Sequence, residues 1–323
     1  MPPAHEEGCL KVALVYPGQG SQSVGMGRSL AGTWAGKVFA EADDALGEPL
    51  SQLIWEGPAE TLDLTANAQP ALLTTSLAFF RAWGPRAFDA GLASPSFFAG
   101  HSMGQYSAMV AADVLDLADA VRLVRERGRL MQASAADGSM AAIIGLDDVR
   151  LPELEAVGQA AGIFTIANRN SPGQVVISGE WAAVQAAADA AKGLGARRAI
   201  VLPVSVAAHS PLMANAAEGM RAVLADITFR APVAPLLANA DARPLTTADS
   251  CRAELIEHLT RGVDWVRAVR AMQAAGVDTF VEVGPGKVLS NLVKRIAPDA
   301  TVMSTDDPSG PDGVFDPSSI TKE

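Results

Sequence analysis

Residues 97–112 read FFAGHSMGQYSAMVAA. A short apolar run leads into a serine set between His101 and Met103 and bracketed by Gly100 and Gly104, and an apolar, Ala-rich stretch follows. The pentapeptide GHSMG fits G-x-S-x-G, and its flanks are the ones that motif requires, a strand before it and a helix after it. Such a corner holds its serine in a strained backbone conformation, and small neighbours let the turn close. The helix N-terminus behind Ser102 supplies free N–H groups and a partial positive charge. The N–H of Met103 then points to where an oxyanion would form. The plainer alternative is a tight strand–helix turn with an incidental serine. Either way, a strand that turns directly into a helix sets the fold class: α/β, with an α/β-hydrolase-like parallel sheet.

The other strand-like runs agree. KVALVY (11–16), VAPLLAN (233–239) and DTFVEVG (278–284) are continuously apolar, as strands of a sheet covered on both faces must be. Residues 138–205 read differently. They run as strand, helix, two strands around a Ser-Pro-Gly turn, helix and strand, the βαββαβ order of a ferredoxin-like subdomain. The expected organisation is a large α/β catalytic domain from 1–137 and 206–305, a ferredoxin-like small subdomain at 138–205, and a disordered Pro/Gly/Ser/Asp-rich tail at 306–323.

The bulk composition narrows the partners. At 323 residues and 49% hydrophobic, the chain can bury a large core. A net charge of -11 argues against nucleic acid, which wants a basic face. No apolar run approaches the roughly 20 residues of a membrane span, and MPPAHEEGCL has no secretory pattern. Cys9 and Cys251 make neither a disulfide framework nor a metal site. A reduced, cytoplasmic protein without a metal or other cofactor is expected.

A nucleophilic serine needs a base. Of the four histidines, His5 lies near the terminus, His101 is in the elbow pointing away from the serine, and His258 reads as an exposed helical residue. That leaves His209 in LPVSVAAHSPLM, a loop position suited to reach another strand's end, or else an ordinary loop histidine. No acid is marked as its partner. Asp147 and Asp189 fall in the small subdomain, and a backbone carbonyl could orient the ring instead.

The stretch LADAVRLVRERGRLMQ holds the sharpest anomaly. On a helix turning about 100° per residue, Leu117, Val121, Val124, Gly128 and Met131 share an apolar arc. Arg122, Arg125, Glu126 and Arg129 fall opposite, where solvated charges belong. Arg127 lands inside the apolar arc. A buried guanidinium must find an anion or several acceptors. It is either tied to an Asp or to carbonyls, or it presents its fork to a substrate carboxylate near Ser102. Two glycine-rich loops complete the reading. The first, VYPGQGSQSVGMG (15–27), lacks the Lys of a phosphate loop; it either approaches the elbow closely, with the N–H of Gln19 as a second oxyanion donor, or is a plain glycine-rich turn. The second, EVGPGKVLSNL (282–292), has Leu289 where a dinucleotide fingerprint needs its third Gly, and so lines the pocket or fixes the late strand.

Six motifs in order, PGQGSQSVGMG, GHSMGQYSA, RGRLMQ, NRNSPGQVVISG, VSVAAHSPLM and VEVGPGKVL, resemble the malonyl-CoA:acyl carrier protein transacylases, from about Lys11 to about Ser304. The resemblance implies Ser102 as nucleophile, His209 as base, and Gln19 and Met103 as oxyanion-hole amides. It also implies Arg127 as the malonate anchor, with Gln69, Asn168 and Asn170 lining the substrate channel. A main-chain carbonyl in GVDW (262–265), assigned to Asp264, would orient the base. The implied reaction carries malonyl from malonyl-CoA to the pantetheine thiol of acyl carrier protein through a serine ester, in a monomer with no cofactor. A stand-alone polyketide acyltransferase and a serine thioesterase or hydrolase are the alternatives. Two departures stand out: Gln105 where the elbow usually continues with Glu, and Ala208 beside His209, which leaves room next to the acyl group.

Overall fold

A computed structural model describes residues 11–89, 94–134, 137–204 and 206–306. The tail beyond Asp306, together with His5 and Cys9, lies outside them. The described strands are, in chain order, β1 (Val12–Tyr16), β2 (Phe97–Gly100), β3 (Gly138–Ile144), β4 (Phe164–Ser171), β5 (Gln174–Glu180), β6 (Arg198–Val201), β7 (Leu236–Leu237), β8 (Pro244–Leu245), β9 (Val263–Asp264), β10 (Thr279–Glu282) and β11 (Thr301–Ser304).

The larger sheet runs β11-β10-β1-β2-β7-β8. Every neighbouring pair from β11 to β7 is parallel, and only β8 turns back antiparallel on β7. β1 and β10 are buried from end to end, as their unbroken apolar runs require. Register sets the site. Tyr16 at the end of β1 lies opposite Gly100 at the end of β2, so the loops that follow both strands leave the same edge side by side. The expected strand at 233–239 shrinks to two residues. Pro232 and Pro235 have no N–H to give a ladder, so regular pairing begins only after them.

The smaller sheet runs β6-β3-β5-β4-β9. Its first four strands are antiparallel and follow the ferredoxin-like order, fourth-first-third-second. Ile143, Leu154, Ile177 and Val184 join its strands to the helices Leu151–Ala161 and Trp181–Ala191 in one core cluster. A second cluster of Met140, Ala167 and Val176 meets Leu202, Val204 and Ala208 of the segment leading to His209. β9, from well outside the 138–205 span, pairs parallel with β4 and ties the two sheets together.

The helix Leu117–Ala133 buries the expected apolar arc. It also buries Arg125, which the helical pattern placed with the solvated charges. The helix Lys37–Leu46 and the turn after it cover that side, and Glu48 meets the guanidinium at 2.7 Å. Among the described residues no helix is long and apolar enough to cross a membrane.

Candidate active site

The elbow closes because two glycines permit it. A Cβ on Gly100 would collide with the Gly104 carbonyl, and one on Gly104 with the Tyr16 carbonyl oxygen. Ser102 sits at φ 53°, in the left-handed region that a residue with a side chain rarely enters. Two buried side chains hold the corner. Gln105 accepts from the Gly100 N–H and donates to the Leu237 carbonyl, both at 3.0 Å. Asn239, two residues past β7, accepts from the Ser102 N–H at 2.8 Å. The residue standing in place of the usual Glu thus does more than pack: its amide supplies one acceptor and one donor to two neighbouring strands.

His209 reaches the corner from the far side of the cleft, also at positive φ. Its Nε2 lies 2.8 Å from Ser102 Oγ. Its Nδ1 lies 2.6 Å from the His258 carbonyl and 3.2 Å from that of Arg261. Carbonyls only accept, so Nδ1 carries the proton and Nε2 is left free to take one. Here the structure corrects two expectations. The orienting carbonyl is not that of Asp264, whose amide donates to the Asn239 carbonyl and whose side chain caps the helix Trp265–Ala274. And His258 is not exposed but 1% accessible, at the C-cap of the helix Ala248–Glu257. Carbonyls at and just past a helix end have no intrahelical partner, which is what leaves these two free for the imidazole. Burial first, and the charge of Arg127 second, push His209 down to about 3, so the ring is neutral at pH 7.

Arg127 is 1% exposed. Its Nη1 donates to Gln69 Oε1 at 2.8 Å and its Nη2 to Ser102 Oγ at 3.2 Å. The Tyr106 ring lies 6.0 Å away, and Nε has no partner. Among the described residues no carboxylate and no main-chain carbonyl pairs with it; its acceptors are the Gln69 amide oxygen and the Ser102 hydroxyl. Gln69 is itself fully buried in the helix Thr65–Asp89 and aims its oxygen at the guanidinium.

The amides of Gln19 and Met103 donate to no other described residue, and both residues line the same cleft as Ser102. The Gln19 loop is pinned from the side: Gln22 accepts from the Gly20 N–H at 2.7 Å and donates to Asp63 at 2.9 Å. Asn170 accepts from His101 Nε2 at 2.9 Å, turning that ring away from Ser102. Asn168 faces the cleft with a buried, unpartnered Oδ1. The late glycine-rich loop both lines the cleft and fixes its strand. Val288 and Leu289 are part of the wall, and buried Glu282 accepts from the amides of Leu289 and Ser290 at 3.0 and 2.7 Å. The cleft has a volume of about 450 Å³, with Met140, Val176 and Val204 as its apolar side.

A serine on an elbow, a neutral imidazole on its hydroxyl, two free amides and an unpaired buried cation form an acyl-transfer constellation. A family model described as an acyl transferase domain matches residues 13–306. The chain belongs to the acyl transferase family. This acyltransferase is 46% identical over 301 residues to the malonyl CoA-acyl carrier protein transacylase of Escherichia coli K12, covering 92% of this chain and 96% of that one. An acyl carrier protein S-malonyltransferase from Vibrio cholerae O1 superposes with a TM-score of 0.86 at 43% identity, over 91% of this chain and 96% of that one. A malonyl-transacylase solved in complex with a type II polyketide acyl-carrier protein gives 0.84 at 41%, over 91% and 95%.

Sequence reasoning missed Asn239 and the His258 carbonyl. Asn239 carried a usable signal, because it ends an apolar run, where the carboxyl end of a parallel strand places side chains in the site. A main-chain carbonyl carries none.

Proposed function

We propose that this acyltransferase moves malonyl from malonyl-CoA to the pantetheine thiol of an acyl carrier protein, by way of an ester on Ser102. The observation that carries this reading is Arg127, a fully buried guanidinium without a counter-charge, 3.2 Å from the serine hydroxyl. Such a group carries a desolvation cost that an incoming anion would offset, and its planar fork matches a carboxylate. An acyl group bearing its own carboxylate fits.

His209 Nε2 takes the proton of Ser102 Oγ as the oxygen attacks the thioester carbonyl. The amides of Gln19 and Met103 receive the developing oxyanion. The C–S bond breaks, CoA leaves as its thiol with the proton from His209, and malonyl stays esterified to Ser102 with its carboxylate on Arg127. In the second half His209 takes the proton of the pantetheine thiol. The sulfur attacks the ester, and Ser102 leaves with the proton returned. The thioester supplies the activated acyl group, so the reading needs no cofactor or metal. It also takes the protein as a cytoplasmic monomer that does not engage nucleic acid. The carrier is read as one of fatty-acid synthesis, with a polyketide carrier or water as the alternative acceptors.

The test is intact-protein mass after mixing with malonyl-CoA alone. One malonyl group is expected on the wild type and none on S102A. Active protein without an adduct would refute the serine-ester route.

A further inference from the structure

We propose that Asn239 is a positioning residue that fixes the nucleophile's backbone, and that Glu254 acts on Ser102 through it. The inference rests on Ser102 as the acylated residue. At φ 53° Ser102 occupies a conformation its neighbours must impose. Its carbonyl is engaged within the turn, by the Gln105 N–H. Its own N–H has one partner, Asn239 Oδ1, which arrives from 137 residues away.

Asn239 is built to hold that oxygen still. It is 3% exposed, and its main chain is clamped on both sides. The Asn239 N–H donates to Glu254 Oε1 at 2.7 Å, and the Asn239 carbonyl accepts from the Asp264 N–H at 2.7 Å. Glu254 is 1% exposed on the helix Ala248–Glu257, with Arg243 at 3.7 Å from its other oxygen. A buried carboxylate whose short bond goes to one main-chain N–H is a costly group to keep for packing alone. Its bond fixes where residue 239 sits, and the Asn239 side chain passes that position to Ser102.

The arrangement has a chemical consequence. With its N–H committed to Asn239, Ser102 cannot donate to the oxyanion, so the pocket is defined by the free amides of Gln19 and Met103. Removing the Asn239 oxygen frees a third donor and lets the elbow relax. Ser102 Oγ then loses its alignment with His209 Nε2, set at 2.8 Å in the intact site. Binding of malonyl-CoA, which rests on Arg127 and the cleft walls, is left in place.

The experiment is single-turnover malonylation of Ser102, read alongside equilibrium binding of malonyl-CoA. N239A is expected to acylate roughly 10- to 100-fold more slowly, the loss that about 1 Å of misplacement produces, with malonyl-CoA affinity within about twofold of wild type. E254A is expected to slow acylation at least about tenfold, and E254Q, which keeps the accepting oxygen, to restore it to within about threefold. In the N239A background E254A should cost nothing further, which separates transmission through Asn239 from loss of stability alone. Acylation of N239A at the wild-type rate, or an equal E254A loss in both backgrounds, overturns the proposal. If N239A does not fold, the E254Q to E254A comparison decides, and equal rates overturn it. A wild type that gains no adduct on Ser102 would instead strike the reading beneath it.

Discussion

Arg127→Met removes a charge and keeps much of the volume. The arginine is 1% exposed, holds no protein carboxylate, and touches Ser102 Oγ and Gln69 Oε1. On the proposed reading its partner in the complex is the substrate carboxylate, so the variant would leave that carboxylate buried and unpaired. Breaking a buried ion pair on one side costs about 3–5 kcal/mol. At about 1.36 kcal/mol per decade, kcat/KM for malonyl-CoA should fall roughly 150- to 5,000-fold. Acetyl-CoA carries no carboxylate, and its rate should move by less than about tenfold. The free protein should respond differently. An uncompensated guanidinium is a desolvation cost with no return until substrate binds, and Met removes that cost but leaves the buried Gln69 Oε1 without its donor, so the ligand-free Tm should change little. The assays are transfer kinetics with both thioesters against one carrier protein, and thermal unfolding without ligand. Equal loss for malonyl and acetyl, together with a lower Tm, would mean that Arg127 serves the fold rather than the acyl group.

Acid stability should follow the buried imidazoles. His101, His209 and His258 are all held below the ordinary 6.5 by burial, so at these three sites the unfolded chain takes up more protons than the folded one below that pH, while Glu254 and Glu282, whose carboxyls burial raises, take theirs up in the folded chain and offset part of the effect. The net stability should therefore fall by roughly 1–3 kcal/mol per pH unit below 6.5; a urea midpoint that stays flat from pH 6.5 to 5 would contradict this. Gln105→Leu leaves the Gly100 N–H and the Leu237 carbonyl buried without partners, at roughly 2–4 kcal/mol. Unchanged stability in denaturant would show that Gln105 only fills space.

The parts of the site written in local patterns were legible. G-x-S-x-G between a strand and a helix located the elbow, and Arg127 announced itself by breaking the amphipathic pattern of its own helix. His209 emerged by elimination among four histidines, which works only while other candidates are few. What escaped depends on how distant segments meet. Arg125 looked solvated because a helical wheel assumes one buried face, whereas the helix Leu117–Ala133 is covered on two sides. Asp264 and His258 flank one short connection, and which carbonyl meets the imidazole depends on how the chain leaves the preceding helix. The strand at 233–239 is shorter than its apolar content suggests because Pro232 and Pro235 carry no N–H for the ladder.

The three central side chains also form one electrostatic unit. The Arg127 charge is, after burial, the largest influence pressing His209 toward the neutral, weakly basic form. That suits a resting enzyme, since a neutral Nε2 is ready to accept the serine proton. It would also make a poor base if nothing changed on binding. A malonyl carboxylate seated on Arg127 cancels much of that charge, so the imidazolium that forms as Ser102 attacks is less disfavoured than in the free site. An acetyl group brings no such relief. On the proposed reading the residue that would select the carboxylate also ties the strength of the base to its arrival, and Gln69 holds its guanidinium at 2.8 Å.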